Sequence, residues 1–503
     1  MTTTYADYSR DRIGWFFGIS GTQLAFLATG SLPVFWAIQQ GAWLSGFLLL
    51  LIWVAVVLVT IVPIHGRSAT GWMCAAVAHA AGGLMGWTAF RAKAAEGKTE
   101  DLETPDLPGV LQGVQIHDGP PHGSGLQRVA IIQDHASRCW AVTAAVVHPG
   151  IGMEAADERR RYGAGLAELI DVAGRTEKIE EILFMVRTVP EDGAERELWV
   201  QAHTKPSSPP LSRQINADLA NGLSQASVRT EQFITLVVPE ARIARSAKES
   251  GGGLEGRCRE LYLLMGEVEA HLRGAMGMTS VSWLTSPELA LACRTGFAPG
   301  DRAGIVEALA LREKDPGVNA DVPWAMAGPS GADPVVRHYS HDAWNSISAT
   351  IKLPAKGAVM GALAPILTPS ESGERRSFMV AFPIVAQSKA DRQSGNSEWA
   401  ADTAEAVRGR LGMKVRAKQR EETAKARGMD TKLARGNFLT RPYAVCTVTV
   451  PKTARVSEFG RRLDASVRRA GFAPLRLDLA QDAAFAASAV PLGTSLTRKS
   501  GAR

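Results

Sequence analysis

The chain has 503 residues, and its 56 Lys and Arg against 50 Asp and Glu leave a formal charge of +6. That excess fits a protein held beside an anionic leaflet at least as well as a nucleic-acid binder. The five cysteines, Cys74, Cys139, Cys258, Cys293 and Cys446, have no paired spacing, which argues for a reducing cytoplasm and against a disulfide frame or a zinc knuckle.

From Ile13 to Gly66 there is no Asp, Glu, Lys or Arg. A bilayer core of about 30 Å needs about 20 apolar residues per helix, so the stretch predicts two membrane passes, near Trp15 to Ile38 and Ala42 to Val62. Thr22, Gln23, Ser31 and Pro33 make the first a kinked span with polar atoms turned to a partner helix. Trp15, Trp36 and Trp43 sit where the spans would meet headgroups, and Arg10, Arg12, Arg67, Arg91 and Lys93 flank them. The uncharged turn at Gln39 to Gly41 then puts both termini in the cytoplasm. Ser68 to Phe90 reads as an interfacial helix, and residues 96–107 as a charged linker. Beyond residue 95 the composition is that of a globular protein large enough for about two or three domains, which excludes a transporter.

Val129 to Gln133 and Trp140 to Val147 predict a hairpin, an amphipathic stretch around Tyr162, Leu166, Leu169 and Ile170 a helix, and Ile179 to Val186 a strand. Strand, strand, helix, strand opens an α+β sandwich of ferredoxin-like type. Gln232 to Val238 is a further strand. After Gly251 to Gly253, the spacing of Leu254, Cys258, Leu261, Met265, Val268 and Leu272 predicts a core-facing helix rather than a coiled coil, because the seam stops short of three heptads. A Pro/Gly-rich stretch separates a later module, in which Ser346 to Lys352 and Ser377 to Ala386 read as strands facing each other across a helix at Met360 to Leu367. Ser397 to Gly436 reads as a basic helical arm, with ten Lys or Arg between Arg408 and Arg435. A solvated face is its ordinary reading; contact with lipid or an acidic partner through Arg408, Arg410, Lys414, Arg416, Lys418 and Arg420 is the functional one. Tyr443 to Val450, Ser457 to Ala470 and Pro474 to Leu477 form a closing β-α-β unit, followed by a disordered tail from residue 494.

There is no P-loop, helical histidine pair, nucleophile elbow or paired-cysteine site in the sequence. His338 and His341, three apart beside Asp342, would face opposite ways on an extended segment and read as loop or sheet-edge histidines.

The order of parts then becomes recognisable. Tyr8, Ser9, Arg10, Asp11, Arg12 and Gly14, Trp15, Phe16, Phe17, Gly18 enter the hairpin; a Pro-Gly-Val-Leu-Gln-Gly-Val run opens at Pro108; Gln481, Asp482, Ala483, Ala484, Phe485 and Pro491, Leu492, Gly493 close the chain. With the segment around Trp324 and Ser346 to Leu353, this order resembles a family of actinobacterial membrane proteins encoded beside conjugation genes. That family looks like the PrgI-like two-span subunit of type IV secretion joined to the non-catalytic amino-terminal part of the conjugation ATPase.

The fold expected is α+β: a transmembrane helical hairpin over 1–66, an interfacial helix over 67–95, and a cytoplasmic ferredoxin-like α+β region with long helices. Its parts are a domain over 108–314, a connection over 315–333, a second module over 334–493 and a tail over 494–503. The resemblance implies a non-enzymatic inner-membrane scaffold, without cofactor or metal, that docks a separately encoded hexameric conjugation ATPase. Other membrane subunits, membrane lipid and oligomerisation within the complex complete the expected partners. Membrane-interface residues would be Trp15, Trp36, Trp43 and Arg67. The alternatives are an EccE-like subunit of a type VII system, and a tethered enzyme or DNA-binding protein whose site forms only on folding; the scarcity of aromatics in the basic arm speaks against the last.

Overall fold

The computed structural model describes residues 4–5, 21–392 with short gaps, 394, 424 and 428–498. Two compact units divide it: residues 7–88, and residues 89–503 together with 1–6.

In the first unit α1 (Gly21–Gln39) and α2 (Trp43–Ile61) form an antiparallel hairpin, followed by α3 (Ala69–Leu84). Trp53 Nε1 donates to the Leu27 carbonyl at 3.0 Å, tying the two long helices together. Among the described residues no helix is long and apolar enough to cross a membrane. The expected transmembrane hairpin over 1–66, and with it the inner-membrane location, is therefore corrected to a helical hairpin. In the described residues α1 begins at Gly21 and carries Thr22, Gln23, Ser31 and Pro33. The described part of each helix has 19 residues, about 28 Å at 1.5 Å per residue against a core of about 30 Å.

The second unit is built on one 13-stranded sheet, made of twelve longer strands and a two-residue strand, Phe90–Arg91, that pairs with Gly331 and Ala332. Its chain order is β1 (Val114–His122), β2 (Gln127–Asp134), β3 (Cys139–Val147), α4 (Ala156–Arg175), β4 (Glu181–Pro190), α5 (Ala194–His203), α6 (Pro210–Ala226), β5 (Val228–Pro239), α7 (Glu240–Glu249), α8 (Gly253–Arg273), β6 (Ser280–Trp283) and α9 (Ser286–Phe297). After α10 (Arg302–Lys314) and α11 (Trp324–Ala327) come β7 (Gly331–Val335), β8 (His338–His341), β9 (Trp344–Lys352), α12 (Ala364–Leu367), β10 (Arg375–Pro383), β11 (Tyr443–Pro451), α13 (Val456–Arg469), β12 (Ala473–Arg476) and α14 (Gln481–Ala489). Regions expected as separate modules, 108–314 and 334–493, thus contribute to the same sheet.

The sheet is an internal repeat. Each half begins with a three-strand meander (β1-β2-β3 and β7-β8-β9), whose third strand opens a four-strand unit, and the last strand of that unit returns to the C-terminal part of the third meander strand. Trp283 of β6 pairs with Ala144, and Arg476 of β12 pairs with Ala349. The spatial orders β6-β3-β5-β4 and β12-β9-β11-β10 are the same split-βαβ arrangement, 4-1-3-2 with all neighbours antiparallel. The halves join edge to edge through β4 and β10, with Met185 opposite Met379. A pseudo-twofold axis passes between these two methionines, so Thr143 paired with Thr235 in one half answers Ser348 paired with Thr447 in the other. The expected face-to-face pairing of the strands at 346 and 377 is corrected: β11 lies between β9 and β10, and the expected helix between them shrinks to α12.

Helices cover both faces, so central strands such as β3 and β11 are near-continuous buried runs rather than alternating ones. On one face each half keeps its own core. Leu169, Ala173, Leu261, Met265 and Val268 of α4 and α8 cover Ile182, Ile234 and Leu236, and Phe459, Leu463 and Val467 of α13 cover Ile347, Cys446 and Val448. On the opposite face α9 and α14 lie on one core shared by both halves, including Met185, Met379, Phe297 and Phe485.

Candidate functional site

The shared face is where the two halves are locked together, and its polar residues are the most unusual feature of the interior. α9 starts at a capping box in which Glu288 accepts the Thr285 amide at 2.8 Å. Its C-terminus meets that of α14: a Cβ on Gly296 would lie 2.7 Å from the Ala489 carbonyl oxygen, so only glycine permits the approach. Two converging helix C-termini concentrate unsatisfied carbonyls and partial negative charge. Arg187 lies between them, donating from Nη1 to the carbonyl of Ala489 at the end of α14 at 2.9 Å and to that of Ala292, in the turn before the end of α9, at 2.8 Å. Its Nε and Nη2 hold Glu231 Oε2 at 2.9 and 2.6 Å, and its guanidinium stands 4.9 Å over the Phe233 ring.

From this node a chain of ion pairs runs outward. Arg229 joins Glu231 to Glu195, and Arg302 clamps Asp192 through Nη1 and Glu195 through Nη2, the latter at 2.7 Å. Burial pushes the Glu231 carboxyl up, but Arg187 and Arg375 outweigh it and hold the group below its ordinary range. Arg375, also buried, donates to the Thr295 carbonyl at 2.9 Å, and burial together with nearby Arg187 lowers its pKa to about 9.

A second polar string lies under α14. His341 is fully buried, so its expectation as a loop or sheet-edge histidine is corrected. Its Nε2 is 2.8 Å from Ser346 Oγ, which is 2.7 Å from Thr449 Oγ1, among the rings of Phe297, Tyr339 and Phe485. Burial drives its pKa down to about 3, keeping the ring neutral. Gln481 satisfies both backbone groups of Ser348, accepting its amide at 2.7 Å and donating to its carbonyl at 3.2 Å.

Residues 490–498 then cross from α14 onto the first half. Thr143 donates to the Pro491 carbonyl at 2.9 Å, and Gly493, at φ +76°, sits against Val237, Ala141 and Thr235. Arg498 Nη2 reaches Glu181 at 2.8 Å. The expectation of a disordered tail from 494 is corrected as far as residue 498: a buried carboxylate needs a cation, and Arg498 supplies it. Burial raises the Glu181 pKa, and Arg498 opposes that rise.

Of the segments that carry the resemblance, Tyr8 to Arg12 and Gly14 to Gly18 lie outside the described residues, and those near Pro108, Trp324 and the closing part of the chain lie on this face. Leu111 of the Pro108 run lies in the shared core with Phe485 and Leu492, Gly109 abuts Asp482, and Trp324 Nε1 donates to Ser286 Oγ at 2.7 Å. Chemically the arrangement holds geometry rather than poising a nucleophile. Burial raises the Cys139 thiol and pushes Cys258 up to about 11 and Cys293 and Cys446 to about 12, so these thiols stay protonated. Among the described residues no group of three or more His, Cys, Asp or Glu could hold a metal ion.

Of the residues singled out from sequence, Trp36 and Trp43 are 67% and 72% exposed on the hairpin unit. Arg67 lies in a two-residue strand pairing with Ile64. Trp15, Arg408, Arg410, Lys414, Arg416, Lys418 and Arg420 lie outside the described residues. Sequence reasoning missed Arg187, Glu231, Arg375 and Glu181. The available signal was a charge inside an apolar strand, as with Arg187 in Ile182 to Val189. Comparison of the chain with protein-family models and with curated proteins gives no match.

Proposed function

We propose that this chain is a non-enzymatic scaffold subunit of a conjugative, type IV-like secretion apparatus that docks a separately encoded hexameric ATPase and contacts other subunits of the complex. The observation carrying this reading is that three of the segments bearing the resemblance, Pro108 to Val114, Gln481 to Phe485 and Pro491 to Gly493, converge on the face that locks two repeats into one platform. Conserving geometry over a wide sheet is what a docking platform requires. The protonated, buried thiols and mutually compensated ion pairs support a structural role for the interior.

The test is affinity purification of the tagged full chain from its native cells with identification of co-purifying proteins, followed by direct binding without nucleotide. A P-loop conjugation ATPase bound at micromolar concentration is the expected result. Recovery of type VII components instead would move the chain to an EccE-like role, and absence of any binding at that concentration would overturn the proposal.

A further inference from the structure

We propose that the solvent-facing side of α13 docks the acidic segment at residues 96–103 of a second copy of this chain. The two halves of the sheet provide an internal comparison, because α7 and α8 occupy in the first half the place that α13 occupies in the second, between third and fourth strands. On the first-half helices four of the five arginines are ion-paired, and the fifth, Arg242, donates to the Ile179 carbonyl. Arg245 pairs with Glu249, Arg259 with Glu255 and Arg273 with Glu269 at one-turn spacing, and Arg257 pairs with Glu240. On α13 the only two acidic side chains are spent: Glu458 on Arg462 and Asp464 on Arg476. Arg455, Arg461, Arg468 and Arg469 are exposed and make no ion pair among the described residues. Arg461, Ala465 and Arg468 follow one stripe, with Arg469 beside it and the small Ala465 leaving a shallow gap in the middle.

The complementary charge is on the same unit. Glu100, Asp101 and Glu103 are exposed, and only Glu96 in this segment is matched, by Lys98. The segment is a fixed ledge: the Asp101 carboxylate accepts the amides of Glu103 and Thr104, the Ala325 amide donates to the Leu102 carbonyl at 3.1 Å, and Leu107 is buried in the shared core. The ledge therefore belongs to the side of the sheet covered by α9 and α14, whereas α13 covers the opposite side. One copy cannot bring its own ledge to its own α13, so the contact forms between copies. It is heterologous, and repeats until it closes a ring or runs on as a filament.

Sedimentation of the purified full chain between about 0.1 and 1 M salt, which shortens screening from about 10 to about 3 Å, tests this. Association beyond a dimer that weakens with salt is expected. Arg461→Glu, Arg468→Glu and Arg469→Glu together, or Glu100→Lys with Glu103→Lys, should each weaken it about tenfold. An equimolar mixture of the two charge-reversed proteins should associate again, because each then offers the other an opposite charge, and that recovery also shows that both variants are folded. Association unchanged by the reversals, no recovery on mixing, or arginine-dependent binding of duplex DNA without self-association would each overturn the proposal.

Discussion

Replacing Arg187 with Met should strongly destabilise the second unit. The guanidinium is 3% exposed and makes four hydrogen bonds of 2.9 Å or shorter, to Glu231 and to the carbonyls of Ala292 and Ala489. Met fills much of the volume but leaves the Glu231 carboxylate, only 14% exposed, without its main counter-ion, and leaves two helix C-termini facing each other unbridged. Breaking one partner of a buried pair costs about 3 to 5 kcal/mol. Arg375 and Arg229 lie close enough to recover part of that, so the expected loss is about 3 kcal/mol. Urea unfolding of the full chain, followed by the fluorescence of Trp140, Trp283 and Trp324, gives the value. Arg187→Met with Glu231→Gln should be less damaging than Arg187→Met alone, because the orphaned charge is gone. Hydrogen exchange at the ends of α9 and α14 should accelerate in the single variant. A loss below about 1 kcal/mol, or a double variant worse than the single, would refute the claim that Arg187 joins the two helix ends.

Three further outcomes follow from the same face. His341 titrates near pH 3 when folded and in the ordinary histidine range when unfolded, so the unfolded chain binds the extra proton and stability falls as pH drops below about 6.5. Between pH 6.5 and pH 5 this costs about 2 kcal/mol, and His341→Gln should flatten that part of the urea-midpoint profile; an unchanged slope would refute it. Gly296→Ala places a methyl against the Ala489 carbonyl and should lower stability by about 2 kcal/mol, read from thermal melts, with no effect counting against the close approach. Arg498→Ala leaves Glu181 buried without its cation. Because the folded Glu181 pKa is raised, protonation relieves the penalty: the variant should lose about 2 kcal/mol at pH 7 and less at pH 4.5, and an equal loss at both would exclude the pairing.

The sequence by itself determined most of the local elements of the sheet unit. The hairpin of β2 and β3, the helices α4, α8 and α13, and the strands β4, β5 and β11 stand within a few residues of their periodic patterns, since periodicity reports which side of a segment will be buried. The buried seam from Cys258 to Leu272 is the clearest instance. An uncharged stretch, by contrast, reports apolarity but not whether a helix is long and apolar enough to cross a membrane, and among the described residues none is.

Only the tertiary structure decided the rest. The repeat is invisible locally because α4 answers the four-residue α12, and because long insertions separate the second strand from the third in both halves. Strand order depends on which distant segments pair, and β11 enters between β9 and β10 although some sixty residues, 384–442, separate it from β10 in the chain. The charged node was equally hidden. Arg187, Glu231, Arg498 and Glu181 lie far apart in the chain, and become clamps only where folding withdraws water from them and leaves Arg187 and Glu231, and Arg498 and Glu181, as each other's counter-ions.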